Sequence, residues 1–386
     1  MASSSAPAPP FQPSTLIRLA PLQLSEIPAH ADLPLKPSKA SLSADTSEDS
    51  SQPDLLPFIT TLLSEGLAFF SKSQFSATFK HHSVKKAPPS AGDVEVSTYS
   101  LSPSQLQSSV PWAPASTDGE RRPSHASTNG TTTAKINRAK PKELQAEHWF
   151  ARKSIHSNIG SKSEDKPGHA SWEEFIYGLR DNHSQHEEDF TPNLFDARKI
   201  VDWDGQVRKL EEEGSLARAG FSDVSMGVFE MCHDVPSPLK PRCFGVLVVT
   251  GSVTHGSGQS FWEADEQEKL VAVTVPLQLG GVKKAFYATY RNLKEGEDEK
   301  RKREVVQGFY TAVETCTLRS AGKVGADEAG GEEVEWIMAT ASDAKGVLPM
   351  WAQKLALPGA VPKDVSYFMK WIKTVDEAEI ETSAGT

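Results

Sequence analysis

The stretch VEWIMATASDAKGVLPMWAQKLALPGAVPKDVSYFMKWI, residues 334–372, decides how the rest of the chain is organised. Its first eight residues are apolar at most positions and predict a buried strand over 334–341. A short turn follows, and apolar residues then recur at helical intervals up to residue 372. The stretch therefore predicts a strand that completes the body formed by residues 145–318, and a helix that covers that body.

The predicted terminal helix carries one apolar face and a single interruption. Pro349 stands in its first turn, where a proline is tolerated. Pro358 and Gly359 break the helix once, which makes this position a candidate hinge. The apolar positions are Leu348, Trp351, Ala352, Leu355, Val361, Val365, Phe368 and Ile372.

Composition limits the classes of function. The chain has 386 residues, a net charge of −10 and 38% hydrophobic residues, with 26 Pro and 26 Gly. The low apolar content predicts that part of the chain lacks a packed core. The negative charge argues against nucleic-acid binding, which needs clustered Lys and Arg. Three scattered cysteines, Cys232, Cys243 and Cys316, are too few for a disulfide framework or a zinc site, so a reducing cytoplasmic setting is expected.

Motifs for cofactors, metals and membrane insertion are weak. The segment 251–258 lacks the Lys of a phosphate-binding loop, and no Gly-x-Ser-x-Gly elbow occurs, so no cofactor is predicted. His183 and His186 lie near Glu187, but without a further converging ligand they indicate a solvated helix face rather than a metal site. No secretory signal is seen, and the apolar segment 55–70 is too polar to span a membrane, so a soluble chain is expected.

The organisation along the chain is uneven. Residues 1–51 are rich in Ser, Pro and Ala and predict a disordered N-terminal arm. Residues 53–73 predict an amphipathic helix packed on the domain, with a membrane-surface role as the alternative. Residues 103–142 return to Ser, Thr, Pro and Gly and predict a disordered insertion. A single domain is therefore expected over 53–373, followed by a flexible tail at 374–386.

Short elements follow one another closely from residue 147 onward. Ser171 and Glu174 have the spacing of a capping box, which predicts a helix that begins at Trp172. A charged helix is predicted over 205–213. The strand candidates lie at 75–80, 94–101, 148–156, 222–235, 243–253, 270–279, 305–318 and 334–341, and residues 195–203 lead into the charged helix. This order predicts an α+β fold in which a curved antiparallel sheet wraps around the long C-terminal helix.

Several motifs resemble a known family. Residues 195–204, FDARKIVDWD, and 242–247, RCFGVL, resemble segments of START lipid-transfer domains, and so does 342–351, SDAKGVLPMW, at the opening of the final helix. Within this helix-grip superfamily, also called Bet v 1-like, the chain is most similar to the fungal domain-of-unknown-function 3074 family. The closer likeness is carried by WFARKS at 149–154, ASWEEF at 170–175, MATASD at 338–343 and LPGA at 357–360. The likeness covers 147–372, and the first third of the chain and the charged insertion 294–303 depart from it.

The resemblance implies an internal cavity, between the curved sheet and the C-terminal helix, that holds a lipid or another apolar molecule. Tyr310 and Glu314 share one strand face and are polar handles if that face looks inward, which the sequence leaves open. The loop 251–269 would close the cavity mouth through Phe261 and Trp262, and the alternative is that these aromatics anchor the loop to the sheet. The predicted ligand-binding residues are Arg152, Val246, Val248, Phe261, Trp262, Val273, Val275, Tyr310, Glu314, Met350, Trp351 and Leu355.

Three functions remain open from the sequence. The first is non-catalytic binding or transfer of a lipid or other apolar ligand by a cytoplasmic protein, with transient contact to a membrane surface. The second is an enzyme of cyclase or hydrolase type on the same scaffold, which needs an acid–base pair such as Glu314 with Tyr310 or His233. The third is a regulatory protein whose disordered arms bind partners.

Overall fold

The computed structural model describes residues 15–33, 52–109, 146–255, 261–320, 331–345 and 358–384. Nine strands within these ranges form one sheet. They are β1 (Lys80–Lys86), β2 (Asp93–Leu101), β3 (Glu147–Ser157), β4 (Leu194–Asp202), β5 (Phe221–His233), β6 (Arg242–Val253), β7 (Glu266–Pro276), β8 (Val306–Ser320) and β9 (Glu332–Asp343).

The strands lie in the order β1-β2-β3-β9-β8-β7-β6-β5-β4, and all neighbours in this order run antiparallel. β7 ends at Pro276, and beyond that point β6 and β8 pair directly in parallel, with Arg242 opposite Val306. The second halves of β6 and β7 are buried at nearly every position. A strand of this kind needs cover on both faces of the sheet.

Helices provide that cover. They are α1 (Leu55–Phe69), α2 (Lys72–Thr78), α3 (Pro103–Ser109), α4 (Trp172–Leu179), α5 (His183–Phe190), α6 (Asp204–Glu212), α7 (Ser215–Ala219), α8 (Asn292–Glu295), α9 (Lys363–Ile372) and α10 (Glu377–Ala384). Helix α4 begins where its capping box predicts. The Ser171 hydroxyl accepts from the N–H of Glu174, and the Glu174 carboxylate accepts from the N–H of Ser171 at 2.7 Å.

Helix α1 covers one face of the sheet, which we call the outer face. Ile59, Leu62 and Leu63 are fully buried in the cluster that also contains the side chains of β7. Gly66 permits the close approach, because a Cβ at this position would lie 2.7 Å from Cγ2 of Val273. The amphipathic helix is therefore packed on the sheet, as the first of the two sequence interpretations expects.

Helices α4 and α9 pack together on the opposite face, the inner face. The Phe175 ring stacks on the Phe368 ring with centroids 5.1 Å apart, and the Trp336 ring also lies 5.1 Å from Phe368. A Cβ at Gly178 would lie 2.5 Å from the Phe368 ring, so this contact requires glycine. The inner face therefore holds the C-terminal helix over β9 and its neighbours.

The α+β prediction is confirmed, and the strands predicted from 94–101 onward correspond to β2, β3 and β5–β9, whereas β4 was not predicted as a strand. The strand predicted over 75–80 is wrong. Residues 72–78 form α2, and β1 begins only at Lys80. Phe75 and Phe79 are four residues apart, and their rings stack at 4.8 Å, which is the spacing of a helix rather than of a strand.

The structure also corrects the predicted disordered segments. Residues 15–33 pack on the body, where Leu22 and Ile27 are fully buried and Leu22 bridges to Leu277. Helix α3 occupies the start of the predicted insertion, and α10 occupies most of the predicted tail, with Ile380 buried near α4. Each segment carries enough apolar residues to bury against the body. The predictions for residues 1–14, 34–51 and 110–145 fall outside the described residues.

The terminal helix is described only from residue 358. Its first part, residues 346–357, lies outside the described residues together with Met350, Trp351 and Leu355. One helical turn at 358–360 precedes α9. In α9 the stripe predicted by Val365, Phe368 and Ile372 is buried, as its spacing requires.

Candidate functional site

The inner face of the sheet borders a small cavity beside α5 and the start of α9. The register explains which strand residues meet there, because Arg152 lies opposite Met338, Met338 opposite Glu314, and Glu314 opposite Ala272. Directly opposed residues of antiparallel strands share a face. The volume is about 50 Å³. The lining residues are Arg152, His183, Glu187, Phe190, Thr191, Ala272, Thr274, Tyr310, Ala312, Glu314, Trp336, Met338 and Asp364.

A buried ion pair lies at the centre of this cavity wall. Arg152 is 2% exposed, and its Nη2 donates to Oε1 of Glu314 at 3.0 Å. Nε1 of Trp336 donates to the same oxygen at 2.7 Å, and the guanidinium lies 3.9 Å from the Trp336 ring centroid. Within the described residues, Nε and Nη1 of Arg152 have no hydrogen-bond partner. A buried cation with two free donors is costly unless another group accepts from them.

Two further carboxyl groups face Arg152 across the cavity. Burial raises the pKa of Glu187 to about 8, with added repulsion from Asp364 and Glu314. Burial also raises the pKa of Asp364 to about 6, although the nearby Arg152 opposes this shift. Both side chains are partly buried and line the cavity. At neutral pH, Glu187 is therefore mostly protonated and can donate a hydrogen bond, while Asp364 is mostly ionised.

The remaining walls are largely apolar. Burial raises the pKa of Tyr310 well above its usual value, so its hydroxyl stays protonated. Tyr310 packs against the cluster that contains Val246 and Val248, which are both buried on the inner face of β6. On the other side, Met338 packs with Phe150 and Val361. The site thus combines one polar centre with apolar surfaces on both sides.

A larger groove adjoins the cavity. Its volume is about 350 Å³, and it runs between the α4–α5 loop and strands β4, β5 and β6. His183 lines both spaces, so the two lie next to each other. Phe229 and Val248 form part of the groove floor, and charged residues such as Asp204 and Lys199 form its rim.

The structure brings together three of the predicted polar and charged site residues, Arg152, Tyr310 and Glu314, and answers the question of their orientation. Tyr310 and Glu314 face inward, toward the cavity. By contrast, Val273 and Val275 belong to the outer-face cluster with α1. Their strand neighbours Ala272 and Thr274 line the cavity instead, because successive residues of a strand point to opposite faces.

The structure corrects the placement of Phe261 and Trp262 at the cavity mouth. The Phe261 ring lies 6.1 Å from that of Phe221, and the Trp262 ring stacks on His255 at 3.7 Å. Nζ of Lys269 donates to the Phe261 carbonyl at 2.8 Å. Both aromatics pack on the outer-face cluster, so they anchor the strand ends. Residues 256–260 of the same loop, and Met350, Trp351 and Leu355, lie outside the described residues.

Sequence reasoning missed Glu187, Asp364 and Trp336. The sequence predicted that Glu187 lies on a helix face in contact with solvent. In the structure Glu187 lines the cavity. Asp364 directly precedes the apolar position Val365 in the sequence, and nothing in that neighbourhood indicates that Asp364 lines a cavity. A signal for Trp336 existed, because it shares a strand face with Met338, the residue opposite Glu314 and Arg152.

Two other sequence candidates take structural roles. His233 does not line the cavity. Its ring packs edge-on against Phe244 at 5.7 Å, and burial lowers its pKa to about 4. In the charged insertion, Arg301 pairs with Asp196 at 3.3 Å, so part of this loop is held against the body. Among the described residues, no group of three or more His, Cys, Asp or Glu side chains is placed to hold a metal ion.

The fold and the site together define an α+β protein whose sheet and C-terminal helix border a cavity with a buried Arg–Glu pair. The profile of the family described as "Protein of unknown function (DUF3074)" matches residues 149–372. The chain belongs to this family. No match is found among curated proteins. Within the described residues, no helix combines the length and apolar character needed to cross a bilayer.

Solved structures of human proteins show a distant similarity. STARD10 is 10% identical, with 84% of each chain covered and a TM-score of 0.38. The StarD13 (DLC2) lipid transfer and protein localization domain is 9% identical, with 84% of this chain and 100% of that chain covered and a TM-score of 0.35. StAR-related lipid transfer protein 5 is 9% identical, with 85% of this chain and 98% of that chain covered and a TM-score of 0.36.

Proposed function

We propose that the protein binds a lipid or another apolar small molecule, without chemical conversion, between the inner face of the sheet and the C-terminal helix. The observation that carries the proposal is the pair of Arg152 donors that have no partner among the described residues, on a side chain that is only 2% exposed. A ligand oxygen placed at Nε or Nη1 would satisfy them. Such an oxygen would replace a lost hydrogen bond at a buried charge, where the gain is larger than at the surface.

The charges around Arg152 favour a neutral oxygen on the ligand. Glu314 already balances the guanidinium, and Asp364 adds a second negative charge at neutral pH. A carboxylate or phosphate on the ligand would meet this excess of negative charge in a poorly solvated site. A hydroxyl or carbonyl accepts from Arg152 without that repulsion. The ligand class is therefore an apolar body with one neutral oxygen function.

The cavity must enlarge when the ligand enters. About 50 Å³ holds one or two water molecules, whereas ligand pockets have volumes of roughly 300–1,000 Å³. The adjoining groove of about 350 Å³ meets the cavity at His183. A modest movement of α5 away from the sheet would join the two spaces. The apolar walls at Val246, Val248 and Met338 would then supply binding free energy of ~25 cal/mol per Å² buried.

Binding can be tested with a fluorescent sterol that carries one hydroxyl, such as dehydroergosterol, and a fatty acid as the anionic comparison. We expect the sterol to bind more tightly, and Arg152→Met to weaken it by about tenfold or more. Arg242→Met serves as a control, because this buried arginine donates to the backbone carbonyls of Ala344 and Lys345, outside the cavity. Protein that is empty by native mass spectrometry and takes up neither probe from vesicles would contradict the proposal.

Catalysis is a second candidate, because three carboxyl groups and a tyrosine face one cavity. Glu187 would act as the general acid and Asp364 as the base, since burial raises the pKa of Glu187 to about 8 and that of Asp364 only to about 6. His233 is not a candidate partner of Glu314, because the His233 ring does not line the cavity. The test compares wild type with Glu187→Gln. If both proteins release bound molecules chemically unchanged and at the same rate, the site binds without catalysis.

The cellular setting is part of the same proposal. Cys232, Cys243 and Cys316 are buried and unpaired, which suits a reducing cytoplasm. The regulatory alternative concerns the arms at 1–51 and 103–142, most of which lie outside the described residues. If deletion of those arms leaves ligand binding unchanged, partner binding by the arms is independent of ligand binding in the cavity.

A further inference from the structure

The two edges of the sheet differ in a way that the cavity does not explain. The edge strand β4 buries most of its side chains. The opposite edge strand, β1, has the sequence KHHSVKK and buries none of its seven side chains. Val84 in this strand is 52% exposed. A strand without buried side chains adds no apolar contact to the core, so β1 contributes only its hydrogen-bond ladder to β2 and an exposed surface.

The charge of this region is opposite to that of the chain. Between Glu65 and Asp93 there is no acidic residue, and four lysines and two histidines occur, whereas the whole chain has a net charge of −10. Lysines on an edge strand discourage pairing with other strands, and this role accounts for the lysines of β1 itself. It does not account for the absence of acidic residues from the whole segment 66–92, most of which lies outside β1. A surface of one sign that extends beyond the strand is what an anionic partner would meet.

The register shows how the charges are presented. Val84 and Lys86 extend on the outer face, while Lys80 and Lys85 extend on the inner face. Lys86 pairs with Asp93 on β2. In the part of the chain that the structure describes, Lys80 and Lys85 form no ion pair. The long stems of Lys80 and Lys85 can bend from the inner face toward the rim of the sheet and meet one plane.

Helix α2 adds an apolar component beside this rim. It ends next to β1, and Phe75 is only partly buried where it stacks on Phe79. Phe70 also keeps part of its ring accessible and lies 5.8 Å from Phe75. Both rings pack against the outer-face cluster and keep only part of their surface accessible. Basic side chains beside partly accessible aromatic rings are a combination that membrane interfaces favour.

We propose that the rim formed by β1 and α2 docks the protein on an anionic membrane surface. An acidic peptide that paired with the free edge of β1 would contact the protein through backbone hydrogen bonds and through the side chains on one of the peptide's two faces. Lys80 and Lys85 on the inner face and the aromatic rings of Phe70 and Phe75, which pack at the outer-face cluster, can be met together by a plane. Because an open sheet edge does not enter hydrocarbon, the contact stays in the headgroup layer and is reversible. The rim adjoins the end of the predicted amphipathic helix at Phe70, whereas Phe261 and Trp262 pack on the outer-face cluster away from it.

The first test is flotation of the full chain with vesicles of phosphatidylcholine alone or with added phosphatidylserine. We expect binding only to the anionic vesicles, with loss at high salt. Lys80→Gln/Lys85→Gln should lower the partition about 25-fold, at roughly fivefold for each lysine. Lys209→Gln/Lys283→Gln, two exposed lysines elsewhere, changes the net charge equally and should have little effect. No binding, equal binding to neutral vesicles, or an equal loss in the control pair overturns the proposal.

A second measurement does not depend on those variants. Val84→Cys labelled with the fluorophore NBD should shift to the blue with anionic vesicles, whereas Tyr290→Cys, at a 61% exposed site, should not shift. The three native cysteines are buried, so labelling is selective. A response to polyglutamate but not to vesicles would assign the rim to an acidic protein and overturn the membrane. Both tests are made without a cavity ligand, so their failure is distinct from failure of the proposed function.

Discussion

The guanidinium carbon of Arg152 lies 3.9 Å from the ring centroid of Trp336, and both side chains donate to the same oxygen of Glu314. Arg152 is on β3 and Trp336 is on β9. They are diagonal neighbours, because Arg152 lies opposite Met338 and Trp336 lies opposite Ser154. The carboxylate balances the cation while the ring covers it, so the three side chains act as one unit.

Removal of the carboxylate should therefore destabilise the fold strongly. Glu314→Ala leaves the Arg152 cation buried without its partner, and we expect the free energy of unfolding to fall by about 3–5 kcal/mol in urea denaturation. The double variant Arg152→Met/Glu314→Leu should recover most of this loss, because it buries no charge. Asp93→Ala breaks the exposed pair with Lys86 and should cost less than about 1 kcal/mol. Equal losses in the two single variants would contradict the buried pair.

The raised pKa of Glu187 predicts a dependence of stability on pH. In the unfolded chain this group ionises near pH 4.5, and in the folded protein near pH 8. Between these values the folded state holds the extra proton, so the group's contribution to stability falls as pH rises from about 4.5 to 8. Glu187→Gln should remove this fall and gain stability over wild type at pH 8, by up to about 1.4 kcal/mol per pH unit.

The measurement is the difference in unfolding free energy between wild type and Glu187→Gln at several pH values. The difference cancels the opposite contribution of His156 and His233, whose lowered pKa values, about 3 and about 4, destabilise the fold in acid. Glu173→Gln, in the exposed first turn of α4, is the control and should give a flat difference. A flat difference for Glu187→Gln as well would mean that this carboxyl is solvated.

The strands were predictable because their signals are local. Runs such as 243–253 carry apolar residues at nearly every position, and the capping box at Ser171 fixes the start of α4. The face of the sheet on which each residue lies was harder to predict from the sequence. Periodicity shows that Tyr310 and Glu314 share a face, but which face looks inward depends on where α1 and α9 pack. That choice placed Ala272 and Thr274, rather than Val273 and Val275, on the cavity.

The polar centre of the site was predictable only in part. Arg152 and Glu314 are 162 positions apart, and their pairing follows from the register of β3, β9 and β8. Glu187 and Asp364 come from two helices that meet only after the sheet has formed. Their carboxyls look like ordinary surface charges in the sequence. Only burial, which raises both pKa values, distinguishes them.

The packing of α1 on β7 can be tested at one glycine. In Gly66→Ala the new Cβ would lie 2.7 Å from Cγ2 of Val273 and 3.4 Å from Val271, so helix or sheet must shift. We expect a loss of about 1–3 kcal/mol in thermal or urea unfolding. Gly205→Ala in α6 meets nothing within 4 Å and should be neutral or stabilising by up to about 1 kcal/mol. Gly66→Ala at wild-type stability would place α1 away from the sheet.

A buried carboxylate on the outer face should hold the segment between β7 and β8. Glu230 is fully buried, its pKa is raised by that burial, and it accepts from the backbone N–H groups of Phe286, Tyr287 and Ala288 at 2.7–3.1 Å. In Glu230→Ala these donors lose their acceptor, and a buried unpaired N–H costs about 1–3 kcal/mol. Hydrogen exchange at residues 286–288 should accelerate strongly, while Glu213→Ala, at an exposed site, should leave it unchanged. Because Glu230 points away from the inner face, sterol binding should persist in Glu230→Ala wherever the protein remains folded, and a selective loss of binding would connect this segment to the cavity.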